Sequence, residues 1–301
     1  MGANIIDLQE HNKLSGKMAG FSLILNVFLT LLKAAVGVLA QSQALLADAV
    51  HSGADVAGSF AVLIGLWVAK RPADEDHPYG HGKAEIVAAS LVATLLMLAG
   101  FEVGYSSIRQ FFFPVPNQDI WALATGILAV LSKEIVYRYQ FRIGKSLHSP
   151  ALLAGAKDHR SDVYSSLAAT LGIGIAMLGT QFHIPPLLYA DPLAALVVAV
   201  LIVHMGYQMA VESYTSLLEQ VLTSEETEEM EQIIQKISGV CRVDSVRARS
   251  HGTYLVVDVR ISVDPEITVL SGHNIAKDVK QSLMDNFSRI QEVLVHSNPY
   301  L

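Results

Sequence analysis

Six apolar runs, each close to the roughly 20 residues a helix needs to cross a bilayer, dominate the first two thirds of this chain. They are Lys17–Gln41, Leu45–Val68, Glu85–Ile108, Ile120–Tyr139, Ala151–Leu178 and Pro186–Ala210. Lys133 and Glu134 interrupt the fourth; as sequence neighbours they do not share a helix face, so they either mark its inner end or pair with adjacent helices. Composition agrees with a membrane protein: 51% of the chain is hydrophobic and 16% charged, against about a quarter charged in soluble domains. A net charge of -7 argues against a nucleic-acid binder, and the single Cys241 excludes an internal disulfide or a cysteine-rich metal cluster.

Loop charge predicts the orientation. The connections after the first and fifth runs, "AQSQ" and "GTQFHIPPLLY", hold no Lys or Arg, and the one after the third holds only Arg109. Lys70, Arg71 and Lys83 follow the second run, and Arg138, Arg142 and Lys145 follow the fourth, which places these loops and both termini in the cytoplasm. The expected organisation is a polar segment over 1–16, a six-helix transmembrane domain over 17–212 and a cytoplasmic domain over 213–301. The polar start, "MGANIIDLQEHNKLSGK", lacks the charged-then-apolar order of a signal peptide.

The tail reads as an ordinary folded domain. Thr223 with Glu226 three residues on is a capping-box pattern for a helix. In "TYLVVDVRISVD", Leu255, Val257, Val259, Ile261 and Val263 share one strand face, and Asp258 and Arg260 the other. An amphipathic "SGHNIAKDVKQSLMDNF" and a last strand "VLVHSN" complete an αββαβ order, a small two-layer α+β domain that would gain from pairing with a second copy.

Ionisable residues inside the apolar runs are functional by default. His51 and Asp55 are four apart, as are Asp158 and Asp162, so each pair shares a helix face. Two helices with two ligands each can close a four-coordinate cation site of His51, Asp55, Asp158 and Asp162. Asp48 lies on the same side of its helix, behind the ligands or in a vestibule, while His159 falls one residue off the shared face and reads as interfacial. Glu102 and Asp191 read as structural or vestibular. In the loop "PADEDHPYGHGK", Asp74, His77 and His81 suit zinc and its neighbours, but the same stretch reads equally as a glycine- and proline-shaped turn with solvated acids.

The HxxxD of the second run, the DxxxD of the fifth, the loop "RPADEDHPYGHGKAE" and an αββαβ tail ending in "VHSNP" together resemble the cation diffusion facilitator family over nearly the whole chain. The resemblance implies a homodimeric metal/proton antiporter with a ferredoxin-like, metallochaperone-like tail, here expected in a bacterial inner membrane. It places the transport site at His51, Asp55, Asp158 and Asp162, a second ion at Asp74, His77 and His81, and a charge pair Lys83–Glu219 at the dimer interface. Tail ions would sit at positions matching Asp244, Asp258, His273, His296 and Asn298; Asp at 244 and 258 replaces His of some relatives, and Asn298 replaces Asp.

The resemblance implies a divalent transition metal as substrate, with Zn2+, Mn2+ and Fe2+ as candidates for transport and for regulatory sites, and no organic cofactor is expected. One imidazole among carboxylates leans the expectation to zinc, with manganese close behind. An enzyme is not expected, since no HExxH-type motif is present. A non-transporting metal sensor or scaffold on the same fold is the alternative.

Overall fold

The computed structural model describes residues 2–146 and 150–301; His148 lies outside them, and side chains are described from Gly20 onward except at 146, 150, 151 and 154. Six long helices are apolar enough to cross a membrane: α1 (Gly2–Leu39), α2 (Gln43–Ala69), α3 (Ala84–Gln110), α4 (Ile120–Ser146), α5 (Pro150–Gln181) and α7 (Ala190–Leu217), with the short α6 (Pro185–Leu188) leading into the last. Lys133 and Glu134 do not end α4, which continues to Ser146. Glu134 instead accepts hydrogen bonds from Arg138 one turn on (2.6 Å) and from Arg160 of α5 (2.7 Å).

Two compact units result, one of residues up to Phe60 with Val92–Gln208, the other of Ala61–Leu91 with Met209–Leu301. In the first, the carboxylate of Asp191 near the start of α7 closes the N-terminus of α2. It accepts from Ser42 Oγ (2.6 Å) and from the backbone N–H of Gln43 (2.8 Å) and Ala44 (3.4 Å). An anion there satisfies helix N–H groups that have no partner within the helix and meets the positive end of its dipole. Asp191 is therefore structural, as one of the two sequence readings had it.

The second unit contains α8 (Ser224–Gln235), β1 (Arg242–His251), β2 (Tyr254–Val263), α9 (Val269–Asn286) and β3 (Ile290–Pro299), the αββαβ order expected from the sequence. The sheet order is β1-β2-β3, with β1 antiparallel to β2 and β2 parallel to β3 through the α9 crossover. Val257, Val259 and Ile261 of the central strand bury against Met230 and Ile234 of α8 and Val279 and Leu283 of α9. Glu226 receives both the backbone N–H and the hydroxyl of Thr223 at 2.9 Å, which starts α8. Thr268 starts α9 by accepting from the Ser271 N–H at 3.1 Å.

Two glycines let the α2–α3 loop close on the β1–β2 turn. Gly252 has φ +76°, a left-handed conformation that suits glycine, and a Cβ there or at Gly82 would collide with backbone of the other segment. The Tyr254 hydroxyl donates to the Tyr79 carbonyl beside this approach. The PYGHG stretch is thus a shaped turn.

Candidate metal centre

Among the described residues, two groups of three candidate ligands bring their atoms within 4.8 Å of one another: His51, Asp55 and Asp162, and Asp74, His77 and His81. The first group joins α2 and α5. His51 and Asp162 are buried and Asp55 is half-buried. His51 Nε2 stands 3.7 Å from Asp162 Oδ1. Nδ1 of His51 and Oδ2 of Asp55 are buried without a hydrogen-bond partner. Buried polar atoms are nearly always partnered, so two unpartnered ligand atoms in one cluster fit a site that a cation completes.

Asp158, the fourth residue of the sequence reading, stays outside this group and is exposed. The physical reason lies in helix geometry: four residues rotate about 40° past a full turn and rise about 6 Å, so sharing a face with Asp162 does not ensure convergence with it. Beside Asp162 stands a residue that the sequence reading did not place in the site. Lys133 of α4 is wholly buried, and its ammonium lies 2.6 Å from Asp162 Oδ2. His159 is also buried; its ring lies 2.6 Å from Ser22 Oγ and 3.6 Å from Asp162 Oδ2.

A second buried cation flanks the cluster. Lys33 of α1 is 2.7 Å from Asp48 Oδ2 and donates to Ser52 Oγ (2.9 Å) and Ser166 Oγ (3.0 Å). Asp48 Oδ1 in turn accepts from Ser165 and Ser166. Asp48 thus sits one turn from His51 in a closed network tying α1, α2 and α5. A lysine within an apolar run is the signal that could have found both cations, since a charge buried there must be paired.

The loop group is exposed. The His77 backbone N–H donates to Asp74 Oδ1 at 2.7 Å and, with the imidazoles nearby, holds that carboxylate below its ordinary pKa. His81 Nδ1 lies 3.2 Å from the Pro72 carbonyl. His81 Nε2 lies 3.3 Å from Asp74 Oδ2.

Lys83 Nζ is 2.9 Å from Glu219 Oε1 and draws that carboxyl's pKa down. The tail candidates form no third group among the described residues. Asp244 accepts from Arg242 (2.8 Å), Ser262 and Asn298 (3.1 Å), Asp258 pairs with Arg249 at 2.9 Å, His296 lies by Asp258 at an open groove on the sheet, and His273 is exposed on α9.

His251 is buried against the Tyr79 and Tyr254 rings, 6.4 and 5.8 Å away. Burial first, then the Lys83 charge, lowers its pKa, outweighing Glu219. The unfolded chain therefore binds a proton before the folded one does. This packing contributes fully above about pH 6.5 and weakens as pH falls toward the folded value. Hydrogen-exchange protection of the β1–β2 turn should drop between about pH 7.5 and 5.5, and the drop should flatten in His251→Phe. An unchanged slope in that variant would assign the pH response to another group.

A cluster of candidate cation ligands among membrane-length helices points to an integral membrane protein that handles metal cations. The family models agree in both parts of the chain: the cation efflux transmembrane domain matches residues 20–218, and the cation efflux protein cytoplasmic domain matches 222–300. The chain belongs to the cation diffusion facilitator family; it is a metal-cation efflux transporter and not an enzyme. It is similar to the manganese efflux system protein MneP of Bacillus subtilis (strain 168), 37% identical over 97% of this chain and 98% of that protein. It is also similar to MneS of the same organism, another manganese efflux system protein, 34% identical over 90% and 91% of the two chains. Among solved structures, a cadmium form of a MamM C-terminal domain variant is 26% identical, covering 26% of this chain and 98% of that one, with a TM-score of 0.25.

Proposed function

We propose that this chain is a homodimeric antiporter that exports divalent transition metal from the cytoplasm in exchange for protons, with manganese ahead of zinc and iron. The observation that carries this reading is the buried His51–Asp55–Asp162 group with its two unpartnered ligand atoms. Ligands must be deprotonated to hold the ion, so proton uptake and metal release are linked at such a site. The order of metals departs from the zinc lean of the sequence. Two of the three clustered residues are carboxylates, which suit manganese, and MneP and MneS, named for manganese efflux, span nearly the whole chain.

In this reading residues 17–212 form the transport domain of a bacterial inner-membrane protein, and both termini and the 213–301 domain face the cytoplasm. Asp158, one turn from Asp162 at the exposed side, joins the ion as the site opens. Asp74, His77 and His81 hold a second ion, Lys83 and Glu219 clamp the dimer interface, and Asp244, Asp258, His273 and His296 act across two tails, not within one.

The test is flux into proteoliposomes under an imposed proton gradient, with manganese, zinc and iron followed separately. Manganese flux should exceed zinc flux, and Asp55→Ala should remove both. Absence of gradient-driven flux for every metal would overturn the antiporter reading.

A further inference from the structure

Two lysines lie wholly buried beside the metal centre, and they are held differently. The Lys33 ammonium donates to two hydroxyls, Ser52 Oγ and Ser166 Oγ, and forms an ion pair with Asp48 Oδ2 at 2.7 Å. Among the described residues, Lys133 has a single hydrogen-bond partner, Asp162 Oδ2 at 2.6 Å. That oxygen belongs to the same carboxylate whose other oxygen faces His51. Lys33 is held in a network outside the ligand group; Lys133, among the described residues, hydrogen-bonds only to Asp162 of the group.

We infer that Lys133 is a built-in counter-cation of the transport site, whose ammonium holds Asp162 when no metal is there and gives up that carboxylate when metal enters. The inference rests on the transport-site reading above. Asp55 and Asp162 place two carboxyl groups among apolar helices, and the Lys133 ammonium neutralises one of them in the metal-free state. A divalent cation arriving at the group must compete with that ammonium for Asp162 and then lies close to a positive charge. Both effects weaken binding and speed release. The flexible four-carbon stem of lysine can swing its head away without moving α4. When the ion leaves, the ammonium returns to Asp162, so the empty carrier does not cross between its two faces with an unbalanced carboxylate.

The prediction is counter-intuitive for a residue in contact with a ligand: deleting its charge tightens metal binding. Equilibrium Mn2+ and Zn2+ binding would be measured on the purified full-length protein, alongside Asp162→Asn. The component of the isotherm lost in Asp162→Asn defines the transport site and separates it from any loop or tail ion. In Lys133→Met that component should tighten by about tenfold or more, because a positive charge within about 4 Å of the ion is gone. Maximal flux should fall at the same time, since release slows, so KM and kcat decrease together. In Lys133→Arg, whose rigid fork competes harder for a carboxylate, the same component should weaken several-fold. The arginine variant also decides the matter if the methionine variant fails to fold.

Unchanged or weaker binding in folded Lys133→Met, or unchanged or tighter binding in Lys133→Arg, would overturn the inference and leave the site intact. Asp162→Asn binding metal as the parent does would instead overturn the transport-site reading itself, and this inference with it.

Discussion

Asp162→Asn should abolish metal flux and at the same time lower the stability of the protein by about 3–5 kcal/mol, more than removal of most metal ligands would. Flux is lost because the three-residue group loses the side chain that joins α5 to α2. Stability is lost because Lys133, wholly buried, is left with an uncompensated charge. The two losses are separable. Replacing both partners, as Lys133→Met with Asp162→Asn, removes the unpaired ammonium and should recover most of the stability while flux stays absent. Thermal unfolding in detergent, read beside proteoliposome flux, checks both halves. Equal stability in the single and double variants would show that Lys133 finds other solvation when Asp162 is gone. A double variant that regains flux would remove Asp162 from the site.

The parts of this molecule readable from sequence are those where one local period or spacing decides the outcome. The tail was legible because alternation along Leu255–Val263 sets a buried face whatever its partners are, and because Thr223 with Glu226 marks a helix start within four residues. The membrane helices were legible from length and apolarity alone. His51 and Asp55 could be placed on one face by counting. Counting fails on α5. Its buried stripe runs through Leu152, Ala156, His159, Val163, Ser166 and Ala169, spaced by three and four with Asp162 beside it, and includes His159 while leaving Asp158 exposed. A face shared by two residues does not say which residues the neighbouring helices cover. The lysines were the hardest to read. Lys133 finds its partner 29 residues away on another helix, and only the packing of α4 against α5 turns a cation that interrupts an apolar run into part of the site.

The second large effect lies in the neighbouring pair. Lys33→Met or Asp48→Leu alone should each destabilise the protein by about 3–5 kcal/mol, since each strands an unpaired charge among apolar helices. Combining Lys33→Met with Asp48→Leu should recover most of that loss, giving a strongly favourable coupling between the two positions. Function should not recover with it. Lys33 bridges Ser52, the neighbour of His51 on α2, to Ser166, one turn beyond Asp162 on α5. Hydrophobic replacements restore packing but not this bridge, so the two ligand-bearing helices lose a shared hydrogen-bonded reference about one turn from the ligands. A shift of about 1 Å between reacting groups can cost a hundredfold in rate, so maximal flux in the stable double variant should remain about tenfold or more below the parent. Unfolding midpoints for the four proteins of the cycle, with manganese flux for each, separate the two roles. Single variants as stable as the parent would mean that water reaches the pair, and full flux in the double variant would reduce it to a packing element with no part in aligning α2 and α5.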